Sequence, residues 1–124
     1  MIEKLIELET AKLAKEKGFD RDVHYWWGER GYKDDFQIRS CETGNINRHK
    51  DAYSAPTQTQ LKEWLYEYHN IFVAVDFLDT LGFYVSVYKI DKKLRSKCLF
   101  TKYGLVPKLL KEKGLFEALK TINL

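Results

Sequence analysis

Residues 71–90 read IFVAVDFLDTLGFYVSVYKI, two alternating runs separated by Asp79, Thr80, Leu81 and Gly82. In an extended chain successive side chains point to opposite faces. Ile71, Val73, Val75 and Phe77 therefore share one face, as do Phe83, Val85 and Val87; Phe72, Ala74 and Asp76, and then Tyr84, Ser86 and Tyr88, occupy the other. Aspartate and glycine suit the turn between them, so the pair reads as an antiparallel hairpin. A further strand around residues 97–102 (KCLFTK) continues the meander after a second, basic turn. A hairpin is marginal alone in water, and the rest of the chain must supply helices to cover its apolar face.

Three segments have the period for this. In SAPTQTQLKEWLYEYHN, residues 54–70, Leu61, Trp64, Leu65 and Tyr68 recur at helical spacing. Thr57 and Gln60 have the spacing of a capping box, and Pro56 keeps Ala55 extended, so the polar prefix reads as a helix start rather than a chemical motif. Residues 2–17 read as a second helix, with Ile2, Leu5, Ile6 and Leu13 on one stripe. Lys15 and Lys17 suit the negative end of its dipole, and Gly18 with Phe19 suits a left-handed cap. From about Pro107 a third helix carries Leu109, Phe116, Leu119 and Ile122 on one side. Gly114 either breaks this helix or lets it press closely on the sheet.

Residues 20–55 are less regular, punctuated by Gly28, Gly31 and Gly44, and only Phe36, Gln37 and Ile38 alternate as a short strand. The spacing predicts an ordered, irregular excursion with one edge strand, held by the aromatics of His24, Tyr25, Trp26 and Trp27. The expected architecture is a single α+β domain spanning residues 1–124, an antiparallel two- to three-stranded sheet packed against N-terminal, central and C-terminal helices.

Glutamates interrupt the N-terminal apolar residues where a secretory signal needs a continuous run, and two cysteines make no disulfide framework; both point to the cytoplasm. The longest wholly apolar run, residues 71–75, is far too short for a membrane span. Residues 1–88 hold 11 Lys/Arg against 15 Asp/Glu and residues 89–124 hold 10 against 3, a polarity that can steer acidic partners to one end or equally set two complementary surfaces against each other.

The leading helix ending in KEKGFD, the stretch SAPTQTQLKEWLYEYHNIFV and the C-terminal LFEALKTI together resemble a family of small uncharacterised proteins carried by gut bacteria, their phages and mobile elements. The resemblance covers roughly residues 11–20, 54–75 and 115–122. It implies a compact α+β domain and a mobile-element origin. It implies no activity and carries no catalytic or ligand residues.

No phosphate-binding glycine loop, dinucleotide pattern, GxSxG or HExxH occurs, so no cofactor is expected. The histidines and cysteines, His24, Cys41, His49, His69 and Cys98, lack the paired spacings of zinc sites. Cys41 with His49 and Asp51 is the one arrangement a nucleophile mechanism could draw on, whereas Cys98 reads as a buried strand residue. His69 reads as a helix terminator, a favourable partial charge at the C-terminal end. The expected role is therefore non-enzymatic, a small accessory or protein-interaction domain whose partner is another protein or a second copy of the chain. Its candidate surface is the sheet face bearing Phe72, Tyr84 and Tyr88, open if the helices all pack on the Ile71, Val73 and Val75 side and core if the Trp26 segment or first helix covers it. The alternative is single-stranded nucleic-acid binding, with Lys89, Lys92, Lys93, Arg95 and Lys97 of the basic turn meeting phosphates and the same aromatic rings stacking on bases.

Overall fold

A computed structural model describes residues 4–29, 31, 35–80 and 82–123. The fold is α+β, with three α-helices, one short 3-10 helix (Ile46–Arg48) and two antiparallel three-stranded sheets among the described residues. The chain divides into two compact units, Met1–Thr57 and Gln58–Leu124.

The first unit contains α1 (Leu8–Glu16) and the strands β1 (Val23–Glu29), β2 (Phe36–Gly44) and β3 (Ala52–Ser54), in the order β2-β1-β3. The expected edge strand exists inside β2, but the segment around Trp26 is the central strand of a sheet and not irregular. Tyr and Trp favour the pleated surface, and Gly28 is a strand residue across which an indole lies: a Cβ there would come within 2.4 Å of the Trp26 ring.

The helix expected over residues 2–17 begins only at Leu8. Leu5 bridges to Thr57, and the Ile6 N–H donates to the Pro56 carbonyl at 3.0 Å, so long-range pairing displaces the first turns of a short, marginal helix. Ile2 lies outside the described residues. The predicted cap is present: Gly18 has φ +92°, the Phe19 N–H donates to the Ala14 carbonyl, and Phe19 is buried. Lys15 does not simply face the dipole. Its ammonium donates to the carbonyls of His49, Lys50 and Ala52, tying α1 to the β2–β3 connection. Ile6, Ala11, Ala14, Phe19, Val23 and Ala52 form the core here.

The second unit contains α2 (Gln58–His69), β4 (Ile71–Phe77), β5 (Phe83–Ile90), β6 (Ser96–Gly104) and α3 (Pro107–Lys120), with the sheet ordered β4-β5-β6. The hairpin register pairs Ile71 with Lys89, Val73 with Val87 and Val75 with Val85. Leu81 of the predicted turn lies outside the described residues; its neighbours Asp79 and Gly82 have positive φ. Helix α2 starts directly after Thr57 and buries Leu61, Trp64 and Leu65, but Tyr68 is exposed, as is Phe77 at the turn end of the strand's apolar face. Asn70, at φ +54°, ends the helix and delivers the chain into β4.

Helix α3 runs unbroken through Gly114, whose absent Cβ would lie 2.5 Å from Val85 Cγ2 and 3.0 Å from Val73 Cγ1. Close approach to the sheet is thus what the glycine is for. The buried stripe is Leu110, Gly114, Leu115, Ala118 and Leu119, with Ile122 just beyond. Leu109 was expected on that stripe and is exposed, because the helix seats itself on Gly114 and turns Leu109 outward.

Candidate functional site

Side chains directly opposite in an antiparallel pair share a face. Phe72 pairs with Tyr88, Ala74 with Ser86 and Asp76 with Tyr84; across β5, Tyr84 pairs with Tyr103, Ser86 with Thr101 and Tyr88 with Cys98. The structure therefore brings Phe72, Tyr84 and Tyr88 together and adds Tyr103, which the sequence reading missed. Phe72 is 38% exposed and Tyr103 63%, while Tyr84 and Tyr88 are half-buried. Tyr84 and Tyr103 lie with ring centroids 6.2 Å apart, and Phe72 meets Tyr66 of α2 edge-on at 5.8 Å. The Lys62 ammonium sits 5.4 Å from the centre of the Phe72 ring.

Between the rings runs a narrow polar strip. Ser86 is buried with its hydroxyl 3.5 Å from that of Thr101, which in turn lies 3.2 Å from the Cys98 thiol. Cys98 is exposed, not buried as expected, because its pairing with Tyr88 puts it on this face and β6 has no outer neighbour among the described residues. The negative charge of Asp76 raises the Tyr84 phenol above its ordinary pKa.

The basic residues are placed differently. Lys89 pairs with Ile71 on one side and with Lys97 on the other, so the register sets both lysines on the helix-bearing face, opposite to the aromatic rings. Lys92, Lys93 and Arg95 lie in the turn between β5 and β6, all exposed. That turn is organised by an acid: one Asp91 oxygen accepts from the Lys93 and Arg95 N–H groups, both at 2.9 Å, and the other from Arg95 Nε at 3.2 Å. The Arg95 backbone hydrogen bond is the main cause holding the Asp91 carboxyl below its usual range. His69 packs edge-on against Trp64 at 4.7 Å, and its pKa is lowered by desolvation first and by Lys89 second. Near neutral pH it is consequently a neutral ring and not the positive partner of the helix end that the sequence suggests.

In the first unit, a cavity of about 810 Å³ is lined by Trp26, Arg39, Cys41, His49 and Asp51 among others. Cys41, His49 and Asp51 all border it. The Cys41 thiol, however, donates to the Val23 carbonyl at 3.4 Å, so the nucleophile–base hydrogen bond that such chemistry uses is not formed. His24 shares a hydrogen bond with Thr43 at 3.2 Å. Among the described residues no group of three His, Cys, Asp or Glu side chains could hold a metal ion, and no helix is long and apolar enough to cross a membrane.

Comparison with known proteins gives no match to a family model, a curated protein or a solved structure.

Proposed function

We propose that the chain is a non-enzymatic protein-interaction domain whose interface is the open face of the β4-β5-β6 sheet, and that its first occupant is the same face of a second copy. The observation that carries this reading is the row of Phe72, Tyr84, Tyr88 and Tyr103, four rings on one partly exposed face from which the register keeps Lys89 and Lys97 away. Aromatic side chains around a small polar strip are the composition of an interface core, and two such faces meet without opposing lysines. Nucleic-acid stacking would need cations beside the rings, where, among the described residues, this face offers Asp76 next to Tyr84 and Lys62 near Phe72.

Sedimentation velocity tests it. The wild-type chain is expected to shift toward a dimer as its concentration rises, and Tyr84→Asp to remain a monomer with an unchanged circular dichroism spectrum. A wild-type chain that stays monomeric throughout, or a Tyr84→Asp chain that dimerises equally well, contradicts the reading. Dimerisation replaced by salt-sensitive binding of a single-stranded oligonucleotide would favour the nucleic-acid alternative.

A further inference from the structure

Strand β6 is the outer strand of its sheet, with β5 on one side only. At its end the chain leaves several apolar side chains in solvent. Leu105 is 76% exposed and Leu109 62%, and Val106 is exposed beside them. With Tyr103, Gly104 and Leu110 they border a cavity of about 230 Å³. A strand edge continuous with an apolar patch is a template for main-chain pairing, which folded proteins ordinarily blunt. Lysines blunt this edge against a second copy of itself and leave it open to an acidic strand: Lys97 and Lys102 are exposed, both on the helix-bearing face by register, and Lys108 is exposed in the first turn of α3. Lys113, at the cavity wall, is already paired with Glu117 at 2.9 Å.

We propose that the free edge of β6 takes up an acidic, extended peptide segment of another protein. Its main chain adds a strand to the sheet, its alternate carboxylates face Lys97 and Lys102, and one aliphatic side chain enters the cavity between Tyr103, Leu105 and Leu109. Charge selects this occupant. A second copy would bring the same lysines against one another. A nucleic acid would satisfy the lysines but leave an aliphatic cavity, which offers bases no stacking platform except Tyr103, without use. The inference rests on the chain being an interaction domain, yet it uses the outer edge of β6 and the cavity beside it, which share Cys98, Thr101 and Tyr103 with the aromatic face.

The probe is a fluorescein-labelled peptide of alternating Glu and Val ending in Leu, matched to β6 in length and titrated with the full chain at low ionic strength. Anisotropy is expected to report saturable binding. Rearranging the same residues into a Glu block and a Val block, or placing Pro at the centre, should weaken it by about tenfold or more, because charge alone then remains. Leu109→Asp and Lys102→Glu, both at exposed positions, should do the same with the fold intact by circular dichroism. Equal binding of the block peptide, wild-type binding by the Leu109→Asp chain, or no saturable binding overturns the proposal. So does displacement of the peptide by a single-stranded oligonucleotide. Tyr84→Asp separates the two surfaces: peptide binding that persists in that monomer supports the edge site whatever becomes of the dimer.

Discussion

At Gly114 one hydrogen in place of a methyl decides how α3 lies on the sheet. Alanine would gain about 1 kcal/mol of helix propensity, but its methyl would meet Val85 Cγ2 at 2.5 Å, and overpacking of this kind costs about 1–3 kcal/mol. Gly114→Ala should therefore be destabilising in urea unfolding, and Val85→Ala combined with it should be less harmful than the sum of the single changes. Additivity would mean that the two sites do not touch.

Lys15 makes a different kind of single-residue staple. Lys15→Met keeps the stem and removes an ammonium that serves three carbonyls, so a loss of about 1–2 kcal/mol is expected, read from tryptophan fluorescence during denaturation.

His69 gives a pH dependence with a definite sign. Its folded pKa lies below the ordinary 6.5, so the unfolded chain takes up the proton first as pH falls. Stability contributed by the neutral ring is complete above 6.5 and declines as pH drops through that value toward the folded pKa. An NMR titration should place the His69 midpoint below 6.5, and His69→Gln should flatten the acid side of the stability profile in this window.

Among the elements, the hairpin was legible because period-two alternation fixes both its strands and its faces, and the start of α2 because Pro56 and Thr57 leave it nowhere else to begin. The first helix misled because Leu5 and Ile6 fit a helical stripe equally well, and the pairing to Pro56 and Thr57 that pulls them extended comes from about fifty residues away in sequence, far outside any local pattern. Strands β1 and β3 were hidden by their glycine and by brevity. Tyr103 was missed because the strand expected over residues 97–102 in fact runs on to Gly104, which brings Tyr103 opposite Tyr84. In the candidate site, the rings were readable and the lysines were not: counting charges in a turn says nothing of the face to which the flanking register assigns Lys89 and Lys97. The turn itself yields a prediction. Asp91→Ala removes the acceptor shared by two backbone N–H groups, so amide exchange at Lys93 and Arg95 should accelerate while the β4–β5 pairing keeps its protection. Unchanged exchange would mean that Asp91 does not organise the turn.

For the whole chain, the net positive charge lies in the second unit, where residues 58–124 hold 11 Lys/Arg against 7 Asp/Glu, while residues 1–57 are nearly balanced at 10 against 11. The second unit presents two surfaces of different chemistry, the aromatic face proposed to meet a second copy and the lysine-bearing β6 edge proposed to take an acidic strand. Hydroxyl-radical footprinting at low and high protein concentration tests the central claim about the first of these most directly. If the aromatic face pairs with its own kind, Tyr84, Tyr88 and Tyr103 become protected as concentration rises while exposed Leu109 and Phe77 keep their reactivity. Rings that react equally at both concentrations, or protection that spreads evenly over all five residues, would contradict it.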